Sequence, residues 1–179
     1  MWVPPPTLVA VLQFCKSVAT LAVVTDDDRG DDRYQRFASS AFRVGMDLTE
    51  IQAVADSINT FGDRYIRRIY TDHEIEYCVS EPEHAAARFA ARFAAKEAVV
   101  KVLRPVDVRP DWKSIEVHRD PQGWCEINLC DLAYDLATQA GIAALAVSLT
   151  HDGAYASAVV VAQIANATEP PGDSPARGT

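Results

Sequence analysis

The stretch HAAARFAARFAAKEAVVKVL at 84–103, set between Pro82 and Pro105, constrains this chain's fold more than any other. It holds neither glycine nor proline, and alanine dominates it, so it reads as one long helix that Pro105 ends. At about 100° per residue, Phe89, Phe93 and Val100 fall on one arc. Arg92, Lys96 and Glu97 fall within or beside that same arc, while Ala90, Ala91, Ala94, Ala95 and Ala98 form a smooth far side suited to close packing. A helix that only covers a core keeps its charges on the opposite face. Here two cations and a carboxylate stand among phenylalanines, and that placement needs a reason.

The segments around this helix set the fold class. FRVGMDL alternates Phe42, Val44, Met46 and Leu48 against Arg43, Gly45 and Asp47, a strand whose polar face carries Asp47. Ile51, Val54, Ala55 and Ile58 then form a helical stripe, and after Gly62 a short basic helix holds Arg64, Arg67 and Arg68. Thr71 with Glu74 three residues on signals a capping box, and Pro82 closes that helix. SIEVHRD, the turn PQG and WCEINLC form a hairpin. Asp131 is placed to cap a helix through Gln139 that Gly141 stops. LAVSLTHDGAYASAVVVAQ forms a second hairpin turning at HDGA. The expected class is α+β, helices packed on a mostly antiparallel sheet, in a single copy with no internal repeat.

The ends differ from this middle. A proline triplet, an irregular apolar stretch and the acidic run DDDRGDDR precede SSAF, so residues 1–40 are expected to be a poorly ordered extension, or an upstream start wrongly assigned. The domain is expected over 41–164. The Pro-, Gly- and Ser-rich tail over 165–179 reads as disordered.

Composition excludes several classes. No apolar run reaches the roughly 20 residues of a membrane span; the nearest, 8–24, is broken by Gln13, Lys16 and Ser17, and MWVPPP lacks the cations of a signal peptide. A net charge of -8 argues against nucleic acid. Cys15, Cys78, Cys125 and Cys130 form no CxxC pair and no zinc-finger spacing, which fits buried thiols in a reducing cytoplasm.

Two carboxylates have unusual addresses: Asp47 on the opening strand and Glu97 on the half-apolar arc of the long helix. If that helix packs on the sheet, both point at one place. Such a pair beside apolar groups is costly, since like charges and burial both oppose ionisation. A divalent cation resolves the conflict, and Mg²⁺, held by one or two carboxylates and completed by water and substrate phosphates, is the natural choice. Arg92, Lys96 and Lys101 then serve the phosphates. The same residues equally make helix-surface ion pairs, Glu97 with Lys101 among them, and spacing alone does not separate the two readings. His151 adds a polar group at a strand end, where it is a site residue or a surface one; Asp152 beside it is first a turn residue.

The segments GMDLTEI at 45–51, FAARFAAKEAVVKVL at 89–103 and VSLTHDGAYASAVV at 147–160 resemble, in order and with similar gaps, the three signature segments of the holo-acyl-carrier-protein synthases. The resemblance covers about residues 42–163. It implies the 4'-phosphopantetheinyl transferase fold and transfer of 4'-phosphopantetheine from coenzyme A to a serine of apo acyl carrier protein, in fatty acid biosynthesis, with release of adenosine 3',5'-bisphosphate. It implies Mg²⁺ on Asp47 and Glu97, phosphate contacts from Arg92, Lys96, Lys101 and His151, and catalytic roles for Glu97, Lys101 and His151. The acceptor of the serine proton stays open among Glu97, a water at the metal and another carboxylate. Read this way, the long helix is half core and half the wall of a diphosphate site.

The chain departs from the family in two places. Gly123, Trp124 and Cys125 stand where the family often has Gly-Lys-Pro or Gly-Arg-Pro, and about forty residues precede the first motif. The larger relatives carry two copies of the fold and make their site between them; a single copy must borrow the second wall, and the resemblance implies a homotrimer with sites between subunits. The carrier is acidic, and so is this core, with twelve Lys and Arg against eighteen Asp and Glu over 41–163. Docking therefore needs a local basic face, for which Arg64, Arg67 and Arg68 are the candidates. Two alternatives remain: a transferase for a polyketide or other secondary-metabolite carrier, and a non-catalytic module that binds carrier or nucleotide. A degenerate module would be expected to lose Asp47, Glu97 or the lysines, and this chain has them all.

Overall fold

The structure of the protein, a computed structural model, describes residues 41–165. The expected extension with its apolar segment 8–24 and Cys15, and the tail from 166, lie outside the described residues.

Strand β1 (Phe42–Glu50) runs straight into helix α1 (Ile51–Phe61), which Gly62 ends with a positive φ. The short helices α2 (Asp63–Ile69) and α3 (Asp72–Val79) follow, then a 3₁₀ turn at Pro82–His84 and the long α4 (Ala85–Leu103). A second 3₁₀ turn (Trp112–Ser114) leads to the hairpin β2 (Ile115–Arg119) and β3 (Cys125–Leu129), then α5 (Asp131–Gln139) and the hairpin β4 (Ile142–Asp152) and β5 (Tyr155–Ile164). All strand pairs are antiparallel, in a three-stranded sheet of order β1-β5-β4 and a separate two-stranded sheet β2-β3. The α+β class is as expected. Among the described residues no helix is long and apolar enough to cross a membrane.

Helix α4 lies at the centre, and every residue from Phe89 to Val100 is buried. Its expected division into a charged arc and an alanine side does not correspond to a wet and a dry side, because neighbours cover it all round. Ala94 and Ala95 pack on Ala158 of β5 and Val117 of β2, Ala98 lies in the cluster of Val160 and Ala162, and Phe89 and Phe93 pack toward α1, α2 and α3. Small residues on both elements let the backbones approach. The closest approach is at Gly45, where a Cβ would stand 2.1 Å from the Ala98 carbonyl oxygen; only glycine fits there. Arg104 ends the helix in the left-handed conformation, φ 53, one residue before Pro105.

The polar face of β1 is the one turned toward α4. Its apolar face is largely exposed: Val44, Met46 and Leu48 are each more than half exposed, and in the register Val44↔Val161 and Met46↔Val159 they join the exposed Val159 and Val161 of β5. The three-stranded sheet therefore has one side under α4 and one largely exposed apolar side.

The capping box at Thr71 forms, with the Thr71 amide donating to Glu74 Oε2 at 2.9 Å. The cap expected of Asp131 does not. Cys130 occupies the N-cap, without a side-chain cap bond, because its amide is tied to the Ser114 carbonyl at 3.0 Å and the helix begins one residue later, at Asp131 with φ 46. Gly141 stops α5 as expected, with φ 67. The thiols at Cys78, Cys125 and Cys130 are free, but only Cys78 is buried; Cys130 is exposed at the β3–α5 junction. Burial pushes the Cys78 thiol up to about 12.

Candidate active site

Three contacts hold β1 against α4. Arg43 donates to the Val102 carbonyl at 3.1 Å, Gly45 sits on Ala98, and Lys101 Nζ reaches the Met46 carbonyl at 2.6 Å and Asp47 Oδ1 at 2.9 Å. Glu97 precedes Lys101 by one turn on the same helix face. Glu97 is almost wholly buried. Asp47 is anchored further: Thr49 Oγ1 donates to its Oδ2 at 2.9 Å and Ser157 Oγ donates to its carbonyl at 2.9 Å. The sheet register carries this position to the opposite edge. Asp47 pairs with Ala158, which pairs with Leu149, and Thr49 pairs with Ala156, which pairs with His151. Asp47 and His151 thus occupy neighbouring rows of the inner sheet face.

At the β4 edge a cleft of about 380 Å³ opens, lined by Tyr77, His84, Arg88, Arg92, Arg119 and His151 among others. Three guanidinium groups gather on one aromatic ring. Arg92 lies 4.0 Å from the Tyr77 ring centroid, Arg88 4.5 Å and Arg119 5.5 Å. Arg88 is fixed by Glu81 at 2.6 Å and the Tyr77 carbonyl at 3.0 Å, and Arg119 donates to Tyr77 Oη. Arg92 is less constrained. It is almost fully buried, makes one long bond to the Arg88 carbonyl at 3.5 Å, and its Nε donor has no partner. A buried guanidinium with an unmatched donor, beside two further cations, favours an anion in the cleft.

The expected site residues separate into four places. Arg92 and His151 line the cleft, Asp47 and Lys101 meet in the β1–α4 seam, and Glu97 is buried on α4 one turn before Lys101. Lys96 departs from expectation. Its ammonium is fully buried, paired with Glu74 Oε2 at 2.9 Å, and donates to the carbonyls of Trp112, at 2.8 Å, and Ile115. Its three donors are thereby used in the interior, so it is not among the cleft's cations. Burial pulls the Lys96 ammonium below its ordinary range, against the opposing pull of Glu74. Glu74, expected as the capping-box acid, also turns inward to meet Lys96 and to accept from the Val117 amide at 3.0 Å. Arg64, Arg67 and Arg68 stay exposed on α2, apart from the seam; Arg67 meets Asp63 at 3.8 Å and Asp72 at 3.5 Å, and Arg68 meets Asp111 at 3.6 Å.

Arg88, Arg119, Tyr77 and His84 were not anticipated. Arg88 had a signal, since it precedes Arg92 by four residues on the same helix stripe. Gly123, which opens the Gly-Trp-Cys turn that departs from the family at Trp124 and Cys125, lines the cleft with φ 100 and leaves room for Arg119, whose nearest atom would be 3.2 Å from a Cβ there.

An α4-centred fold with a cation-walled cleft at one sheet edge and a carboxylate seam at the other defines a protein built to hold a phosphorylated ligand. The chain belongs to the 4'-phosphopantetheinyl transferase superfamily, whose pattern it matches over residues 43–160. It is 39% identical over 127 residues to the holo-[acyl-carrier-protein] synthase of Chlamydia trachomatis, covering 68% of this chain and 99% of that one. To the synthase of Koribacter versatilis it is 40% identical over 119 residues, covering 66% and 94%. The solved ACPS–CoA complex of Chronobacterium ammoniagenes is similar with a TM-score of 0.62 at 26% identity, covering 70% of this chain and 99% of that one.

Proposed function

We propose that this chain transfers 4'-phosphopantetheine from coenzyme A to a serine hydroxyl of apo acyl carrier protein, giving holo carrier and adenosine 3',5'-bisphosphate, in cytoplasmic fatty acid biosynthesis. The observation that carries this reading is the cleft, where Arg88, Arg92 and Arg119 surround Tyr77 and the Arg92 Nε has no acceptor among the described residues. In the reaction the serine oxygen bonds to the pantetheine-bearing phosphorus, the bond from that phosphorus to the bridging oxygen breaks, and the bisphosphate leaves with that oxygen. Charge grows on the phosphate oxygens, so positioned cations supply most of the catalysis. Arg92, Arg88, Arg119 and His151 hold the diphosphate from the cleft side. Lys101 steadies Asp47 and faces the reacting phosphate from the seam, and the serine proton leaves toward the seam carboxylates.

The donor set of the seam suits a hard divalent cation. Asp47 is held by Thr49 and Lys101 with only part of its surface exposed, and Glu97 is buried on α4 one turn before Lys101. Asp47 and Glu97 would hold Mg²⁺, which supplies Lewis-acid charge at the phosphate oxygens. Replacing Glu97 with Gln keeps its shape; turnover is expected to fall by about 10²–10³ with the fold intact. Near wild-type transfer by Glu97→Gln at low Mg²⁺ would remove the metal role.

The assembly proposed is a homotrimer with sites between subunits. Its support is the exposed apolar face of Val44, Met46, Leu48, Val159 and Val161, a contiguous patch of the sort that marks an interface. Light scattering is expected to give three chains for the native protein and one for Val44→Lys with Met46→Lys. A monomeric native protein would end this part of the reading. The domain proposed for 41–164 is likewise expected to act without what precedes it, and a chain beginning at Ala41 should retain oligomer and activity. The whole reading is tested by mixing the protein with coenzyme A, Mg²⁺ and a panel of apo carriers and weighing each carrier. The fatty-acid carrier is expected to gain the phosphopantetheine mass. A gain confined to a polyketide carrier, or on none, overturns it.

A further inference from the structure

Away from the cleft and the seam, His73, Glu116 and His118 bring one ligand atom each to within 4.8 Å of one another. We propose that these three residues form a binding site for a divalent transition-metal ion of borderline softness, Zn²⁺ foremost, which ties α3 to the β2–β3 sheet.

Local structure builds the trio from two elements. Glu116 and His118 alternate with the buried Ile115 and Val117 on β2, so they share its outer face. His73 stands in the first turn of α3, which meets β2 through Glu74 and the Val117 amide, and its imidazole stacks on that of His118 with centroids 4.7 Å apart and planes 27° apart. The carboxylate is oriented from both sides. Thr71 Oγ1 donates to Glu116 Oε2 at 2.7 Å and Asn128 Nδ2 donates to Oε1 at 3.3 Å. Each oxygen keeps a second lone pair, and outer hydrogen bonds of this kind fix ligating carboxylates in metal sites. Two imidazoles and a carboxylate suit Zn²⁺ better than Mg²⁺, which prefers oxygen alone. His73 is exposed while Glu116 and His118 are half-buried, leaving an open side for water as the remaining ligand.

Position gives the site a consequence. Tyr77, the ring that gathers the three arginines, follows His73 by one turn of α3, and Arg119 follows His118 on β2. An ion bridging His73 to Glu116 and His118 pins together the two elements that carry one wall of the cleft.

The test uses the full chain, freed of metal by a chelator and titrated with CoCl₂ and then ZnCl₂. One Co²⁺ per chain is expected to bind with visible d–d absorption and no thiolate charge-transfer band, the latter distinguishing it from binding at Cys125 or Cys130. Zn²⁺ should displace it and raise the melting temperature. Glu97→Gln should keep this equivalent, separating it from the seam. His73→Ala and His118→Ala should each weaken it by more than the about 10–100-fold that loss of a supporting partner costs. Should His118→Ala fail to fold, His118→Asn keeps a polar side chain there and is titrated in its place. Absence of this equivalent, or unchanged affinity in the histidine variants, overturns the proposal, whether or not the transferase reading stands.

Discussion

Helix α4 carries two lysines, and each meets a carboxylate at 2.9 Å: Lys96 with Glu74, and Lys101 with Asp47. Distance does not distinguish the pairs. Surroundings do, because the side chains of the first are 0% and 0% exposed and those of the second 18% and 16%. In the first pair two carbonyls and the Val117 amide complete the hydrogen bonding, and the unit joins α3, α4 and β2. In the second the ammonium reaches a strand carbonyl and one carboxylate oxygen at the edge of the seam. A buried pair with its donors used is a structural tie, whereas a pair at a margin can exchange partners when a charged ligand arrives. The resemblance to the synthases implied both lysines as phosphate contacts, and burial divides them.

The largest effect expected is on stability. Lys96→Met leaves Glu74 buried and unmatched, which should cost about 3–5 kcal/mol, read by denaturant unfolding. Adding Glu74→Leu should recover much of that loss. Lys96→Met with native stability but lost coenzyme A binding would erase the distinction between the pairs. Lys101→Ala should invert the pattern, lowering kcat/KM by about 10²–10³ while costing less stability than Lys96→Met, because its pair keeps contact with water. A large stability loss there, with kcat/KM changed only in proportion to the folded fraction, would make Lys101 a second structural tie.

Cys78, one turn beyond Glu74 in the same buried patch, reports how dry that patch is. Its thiol stays protonated in the fold up to about 12 but ionises in the unfolded chain from the ordinary value of 9.0. The unfolded state then binds fewer protons, so this contribution is fully present below pH 9.0 and is lost as pH climbs toward 12. The free energy of unfolding across that range should fall less steeply for Cys78→Ala than for the native protein. Equal slopes would show that water reaches the patch and would weaken the contrast between the pairs.

The smallest effect belongs to the exposed pairs on α2, the third tier of burial. Reversing Arg64 and Arg68 to Glu removes only a surface contact to Asp111, worth about 1 kcal/mol or less. The apparent KM for carrier protein should rise severalfold at low salt, with the KM for coenzyme A unchanged. A carrier KM that does not move at low ionic strength removes α2 as the docking face.

Much of this was legible in the sequence. Helix α4 was, because twenty residues without glycine or proline between two prolines leave few alternatives, and Asp47 and Glu97 stood out by polar address. What escaped was decided by elements distant in sequence. Tyr77, Arg88 and Arg119 come from α3, α4 and β2, and no periodicity joins them. Lys96 and Lys101 look alike until Glu74 is known to turn inward. Alternation along β1 correctly grouped Phe42, Val44, Met46 and Leu48, but it cannot say which side of a strand faces the rest of its own chain.

Gly45 works as an omitted wedge. The strand carrying Asp47 and the helix carrying Glu97 lie as close as they do because nothing projects between them, and one methyl group at position 45 would meet the Ala98 carbonyl oxygen 2.1 Å away. That neighbour is helix backbone, not the end of a flexible side chain, so the strand itself would have to lift. The approach of strand to helix is thus set two residues from Asp47, by an atom the chain leaves out. A Gly45→Ala substitution would act on the seam as a shim under one jaw of a vice, moving the grip without touching either gripping surface.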